Sequence, residues 1–169
     1  MKEWKYLYSE AFKTRYVLAS YFVKDYPLVI ELGGYKTPIS GFLEKTKSIV
    51  IDPRTEPLKT EFTTHIKDYF QNVNLDIKED YAVVILGIEL QMSVEQWKKV
   101  YSLLNNSKIT VIEVPIEHIH SRNQLKMILD NTNLKIDLTI AMDLSNNNFG
   151  DMSDSAPPKC KRTIYTLKH

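Results

Sequence analysis

The chain is short of most features that would disclose its chemistry. Cys160 is its one cysteine, so neither an intrachain disulfide nor a cysteine-based zinc site can form. A chain without disulfides fits a reducing compartment. Glycine is scarce, five residues in 169, and none of them sets up the G-x-G-x-x-G spacing of a dinucleotide-binding turn. No run approaches the ~18 apolar residues needed to span a bilayer. Lys2, Lys5 and Glu10 interrupt the N-terminus, so it does not read as a signal peptide. A cytoplasmic protein is expected. Net charge is nearly absent, since 22 Lys and Arg against 21 Asp and Glu leave +1. That balance disfavours a phosphate-binding groove and hence nucleic acid as a partner. The local basic run Lys159-Cys160-Lys161-Arg162 reads as a solvated strand end.

What remains is the composition of an ordinary globular protein, 43% hydrophobic and 25% charged, of a length suited to one domain over residues 1–169. The most informative stretch is Pro27–Gly41. Leu28-Val29-Ile30 lead into Glu31, Gly33-Gly34 follow, and Thr37-Pro38 open a short helix reaching about Lys45. A buried strand that stops at glycines before a helix is how α/β proteins build a ligand-binding turn. Upstream, Trp4, Tyr8, Phe12, Tyr16, Ala19 and Val23 recur at helical spacing, so Trp4–Lys24 reads as a helix packing that stripe on a sheet.

Downstream, Ser48–Ile51 is a second buried strand ending on Asp52, and Thr64–Lys67 a third followed by Asp68. Pro53–Glu61 reads as a loop or single helical turn, and Gln71–Asp80 as polar connection. Tyr81–Leu86 carries no charge and should lie mid-sheet, buried on both faces. Ser93-Val94-Glu95-Gln96 is a capping box opening a helix that turns Trp97, Val100, Tyr101 and Leu104 inward and closes at Asn105-Asn106. Lys108–Val114 is a fifth strand. A second capping box, Ser121-Arg122-Asn123-Gln124, opens a helix with Leu125, Ile128 and Leu129 inward. Leu134–Leu144 alternates as a half-exposed strand, and Arg162–Leu167 is a final strand pairing antiparallel with it.

Five strands with intervening helices, then two closing antiparallel strands, resemble the class I S-adenosylmethionine-dependent methyltransferase family over residues 27–169. The resemblance implies a Rossmann-like α/β three-layer sandwich with a mostly parallel seven-stranded sheet and an antiparallel C-terminal hairpin. Residues 1–26 would be its variable N-terminal cap. It implies S-adenosylmethionine as cofactor, held by Glu31, Gly33, Gly34, Asp52, Asp68 and Gly87. Asp52 would take the ribose hydroxyls and Asp68 the adenine amine. A carboxylate can accept two hydrogen bonds from a ribose diol. Asp52 follows Gly33 by nineteen residues, near the ~20-residue interval of dinucleotide folds. Tyr35 and Thr37 stand where the family commonly has its second and third glycines, and the Asn-Pro-Pro-aromatic motif of amino-methylating members is absent.

For catalysis, Glu89 after the fourth strand could position a nucleophile or take its proton, and His118 after the fifth could act as a base. Glu113, Glu117, His118 and His120 gather near one strand end. In a strand-like segment the two histidines would share a side and could chelate a metal, although no metal site is assigned. Ser145–Lys159 is long for a structureless loop and reads as a lid or recognition loop. The expected function is methyl transfer to a small-molecule or protein acceptor. The alternatives are a non-catalytic scaffold or partner-binding module with a degenerate cofactor turn, and a nucleotide-binding enzyme of another Rossmann-like class.

Overall fold

A strand buried on both faces needs neighbours on both edges, and Tyr81–Leu86 has them. The computed structural model describes residues 10–35, 38–86, 93–115, 119–143, 148–149 and 161–169. Its strands are β1 (Leu28–Leu32), β2 (Lys47–Ile51), β3 (Leu58–Lys59), β4 (Thr63–Ile66), β5 (Tyr81–Leu86), β6 (Ile109–Pro115), β7 (Lys135–Asp143), β8 (Asn148–Phe149) and β9 (Lys161–Lys168). They form one sheet in the order β3-β4-β2-β1-β5-β6-β9-β7-β8, with β5 at its centre. Strands β4, β2, β1, β5 and β6 are mutually parallel, whereas β9 runs antiparallel to both β6 and β7. The last strand therefore pairs with its predecessor as the sequence implies, and also inserts between β7 and the parallel set.

Period-two alternation in the central strands sorts side chains into two cores. On one face Val29, Ala82, Val84, Leu86 and Val111 pack with Tyr16, Ala19 and Val23 of α1 (Glu10–Val23) and with Ile39 and Leu43. The described part of the first helix's stripe, Tyr16, Ala19 and Val23, is thus a packing face, while Trp4, Tyr8 and the side chain of Phe12 lie outside the described residues. On the other face Ile30, Leu32, Val83, Ile85 and Ile112 pack against α2 (Val94–Asn105) and α3 (Ile119–Asn131). Among the described residues no helix is long and apolar enough to cross a membrane.

Several local expectations change. The helix after the glycine turn is only a 3-10 turn, Ile39–Phe42. Glu44 ends this segment with φ 49°, a left-handed backbone that no α-helix continues through. The Pro53–Glu61 loop contains β3, which pairs antiparallel with β4 and is closed by Thr60, whose N–H donates to Thr63 O at 2.8 Å. β4 is nevertheless parallel to β2, so the crossovers on either side of it lack α-helices. The second carries only the 3-10 turn Phe70–Asn72.

The second capping box is not formed. Ile119 and His120 are already helical, whereas an N-cap residue needs extended backbone, so Ser121 cannot be one. In β7 the alternation breaks at a register shift between Ile136 and Leu138. Leu134 and Met142 are buried while Ile136 and Leu138 stay about half exposed. Of the polar Ser145–Lys159 stretch, Asn148–Phe149 pair with Met142 and Asp143, and the rest lies outside the described residues.

The first capping box forms as read. Ser93 Oγ accepts from Gln96 N, and Gln96 Oε1 accepts from Ser93 N at 2.7 Å. Ser93→Ala is expected to cost about 1 kcal/mol. The check is a lower urea midpoint with an unchanged m-value.

Candidate functional site

Parallel strands deliver their C-terminal ends to one edge, where open α/β sheets bind ligands. β1 brings Glu31 there. Its side chain is buried, and Oε2 accepts from the backbone N–H of Ile39 at 2.7 Å, seating the 3-10 turn on the strand end. Burial pushes the Glu31 pKa up to about 8. The Ile39 N–H and the positive charge of Arg15 work against that rise, and the negative charge of Asp52 adds to it.

Gly33 follows with φ 84°, the left-handed region that favours glycine, and its N–H donates to Ile51 O of β2 at 2.8 Å. Gly34 is constrained by contact. A Cβ there would overlap Val50 Cγ1 and come within 2.8 Å of Glu31 Oε2. Gly34 therefore serves the approach of the turn to β2. Tyr35 also has positive φ, 40°, so the backbone keeps a glycine-like conformation at a tyrosine. Thr37 lies outside the described residues.

β2 brings Asp52 to the same edge, 3% exposed. Its Oδ1 accepts from Arg54 N at 2.6 Å, which makes an Asx turn. The Arg54 guanidinium lies over the Tyr35 ring, 4.3 Å from the centroid, with Nε 3.6 Å from Asp52 Oδ1. Thr55 Oγ1 donates to Tyr35 O at 3.1 Å and ties the two turns together. Asp68 follows β4, where its Oδ1 accepts from Tyr69 N at 2.7 Å and Asn72 Nδ2 at 2.8 Å. Glu31, Gly33, Gly34 and Asp52 are thus grouped at adjacent strand ends, with Asp68 one strand further out. Gly87, Glu89, Glu117 and His118 lie outside the described residues.

The carboxylate and histidine group beyond β6 resolves differently from the sequence reading. His120 is exposed on α3 rather than on a strand, and His118 lies outside the described residues. Glu113 is fully buried and held between two cations, Arg15 Nη1 at 2.9 Å from Oε2 and Arg162 Nη1 at 3.5 Å from Oε1. Arg15 Nη2 also donates to Tyr16 Oη at 2.8 Å, and Tyr16 stacks on Phe42 with centroids 5.3 Å apart. A chain of polar contacts and one ring stack therefore runs from β6 through α1 to the turn that Glu31 seats. Among the described residues no three His, Cys, Asp or Glu side chains gather as metal donors.

Sequence reasoning missed Arg15, Arg54, His65 and Arg162. His65 Nε2 lies 2.9 Å from Ser40 Oγ and ties the 3-10 turn to β4, and burial lowers its pKa against the Glu56 backbone carbonyl. Only Arg54 had a local signal, the Asp-Pro-Arg spacing of an Asx turn. Arg15 and Glu113 are 98 positions apart.

No protein-family model and no curated protein sequence matches the chain. Solved structures do. The N-methyltransferase NodS from Bradyrhizobium japonicum WM9, in complex with S-adenosyl-L-homocysteine, has TM-score 0.66 and 9% identity, covering 98% of this chain and 91% of that one. Magnesium protoporphyrin IX methyltransferase from Synechocystis PCC 6803, with bound SAM, gives 0.63 and 11% over 94% and 80%. The Burkholderia thailandensis 1,6-didemethyltoxoflavin-N1-methyltransferase, with bound 1,6-didemethyltoxoflavin and S-adenosylhomocysteine, gives 0.60 and 10% over 90% and 77%. The chain has the Rossmann-like fold of the class I S-adenosylmethionine-dependent methyltransferases.

Glu31 makes a pH signature. Its raised pKa means that the folded state binds the proton more tightly than the unfolded chain. Its contribution to stability is fully present below the unfolded value near 4.5 and is lost as pH rises towards about 8. Glu31→Gln keeps an acceptor for Ile39 N–H and removes the titration. The variant should gain stability relative to the native chain from pH 5 to pH 8, by at most about 1.4 kcal/mol per unit, and no further above pH 8.5. Urea midpoints of both proteins across that range provide the check.

Proposed function

We propose that this chain binds S-adenosylmethionine across the C-terminal ends of β1, β2 and β4 and transfers its methyl group to a small-molecule or protein acceptor. One observation carries the reading: Gly33 at φ 84°, Glu31 and Asp52 converge at the ends of two adjacent parallel strands in a sheet of methyltransferase order. The residues fit the group. A carboxylate offers about four lone pairs, and the Asx turn takes one of them on Asp52 Oδ1, which leaves acceptor capacity for a ribose diol. Gly33 allows close backbone approach beside it. Asp68 stands one strand out, where it would meet the adenine amine.

When bound, the cofactor would supply a methyl group activated on a sulfonium. The protein's part would be alignment of acceptor and methyl and exclusion of water. Glu31, protonated near neutrality, would add no negative charge of its own beneath the turn. Gly87 would border the cofactor, and Glu89 and His118 would orient the acceptor or take its proton. A net charge of +1 favours a small molecule or protein over nucleic acid. We place the protein in the cytoplasm and treat residues 1–169 as one domain, with 1–26 capping the core.

Calorimetric titration with S-adenosylmethionine and S-adenosylhomocysteine tests the reading. Saturable binding is expected. Asp52→Ala, which removes hydrogen bonds to a charged acceptor, should weaken it roughly 10- to 100-fold. Absence of binding at millimolar cofactor, in the native chain and in Arg54→Ala alike, overturns the proposal. Binding unaffected by Asp52→Ala overturns the ribose assignment.

A further inference from the structure

A ribose-binding acid has to be reachable, and Asp52 is buried with its own neighbour's side chain against it. The Asx turn accounts for the backbone N–H of Arg54 on Oδ1, but nothing in that turn requires the side chain to fold back. It does so all the same. The guanidinium lies 4.3 Å from the centroid of the Tyr35 ring, with Nε 3.6 Å from Asp52 Oδ1. Tyr35 reaches this position on a left-handed backbone held by the Thr55 hydroxyl. Asp52 is left 3% exposed while the Arg54 side chain is 61% exposed. A long, solvated, rotatable cation therefore sits over a buried carboxylate.

We propose that Arg54, seated on the Tyr35 ring, is the affinity-determining residue of the adenosyl site, an internal competitor that must leave Asp52 before a ribose diol can bind. The inference rests on the reading of Asp52 as the ribose acid. Guanidinium and ribose hydroxyls are all donors, and they compete for one acceptor group. The seat is shallow, because an exposed cation–π contact is weak and the ion pair is long, 3.6 Å, with its arginine end in solvent. Closed and open positions are then both populated, and the closed fraction lowers the apparent affinity. Because the ion pair is partly solvated, salt weakens it. Added salt should therefore raise the affinity of the native chain.

The experiment titrates S-adenosylhomocysteine into the native chain, Arg54→Ala and Tyr35→Asn, at low and at high salt, with association rates by stopped flow. Asparagine tolerates the left-handed backbone and removes the ring. Arg54→Ala is expected to bind on the order of tenfold tighter, with faster association and no salt-dependent gain. Tyr35→Asn should move the same way by less. A gain of affinity is not what loss of a merely structural contact produces. Equal or weaker binding by Arg54→Ala, with Asp52→Ala still impaired, overturns the internal competitor and leaves the adenosyl reading standing. No binding by any of these proteins overturns both.

Discussion

The site depends on a pair of charges taken out of water. Arg15 and Glu113 meet at 2.9 Å with side chains 10% and 0% exposed, and removing one partner of such a pair strands the other at a cost of about 3–5 kcal/mol. The pair fixes where α1 lies, because Arg15 is on that helix and Glu113 on the last parallel strand. Arg162 of β9 approaches the second oxygen of Glu113, so the strand that makes the sheet antiparallel is tied to the same carboxylate. Through Tyr16 and Phe42 the constraint reaches the 3-10 turn after β1, and Glu31 holds that turn from below. The field of Arg15 opposes the rise in the Glu31 pKa. One ion pair thus couples the position of the first helix to the electrostatics of the candidate cofactor turn.

Much of this fold was legible because it rests on local rules. The uncharged run Tyr81–Leu86 could only be a central strand, and Ser93 with Gln96 could only open a helix if the following residues presented an apolar face, which Trp97, Val100 and Leu104 do. The acids at 31 and 52 were placed at strand ends by the end of each apolar run, and Asp68 by the strand read at Thr64–Lys67. The failures share a cause as well. A capping box at Ser121 and a helix at Pro38 were each good local sentences overruled by neighbours. Ile119 and His120 took helical backbone upstream of Ser121, and the turn at Ile39–Phe42 was cut short where Glu44 turned left-handed. The buried network was illegible for a different reason. Arg15, Glu113 and Arg162 meet through tertiary packing, and no local spacing encodes a contact across 98 positions.

The two crossovers without α-helices bear on the site. The two connections, of eleven and fourteen residues, are near the minimum for a parallel crossover; β3 only extends the sheet edge beside β4, and Phe70 of the turn Phe70–Asn72 packs into the core. With so little over β2 and β4, their ends are held mainly by their own turns. Asp52 N–H donates to Ile66 O of β4 at 3.2 Å, and Asp52 Oδ1 holds Arg54. The same carboxylate proposed for the ribose thus also builds the turn that presents it, so a substitution there removes a structural hydrogen bond along with the ligand contact. The Glu31 carboxyl likewise has a structural duty, on Ile39.

That double use explains why the turn keeps its shape without its usual glycines. Holding an L-residue such as Tyr35 in the left-handed region costs on the order of 1 kcal/mol, and it persists only where the surroundings over-determine it. Here they do: Thr55 anchors the Tyr35 carbonyl and Arg54 covers its ring, both groups arriving from the turn after β2. A glycine at 35 would relieve the strain and lose the ring. The tyrosine spends backbone energy to place an aromatic face under the Arg54 guanidinium. In a turn used for packing alone, that outlay would have no return, since Gly34 already provides the close approach of the turn to Val50. The strained residue is therefore better accounted for by what its ring does for the Arg54 guanidinium than by what its backbone does for the fold.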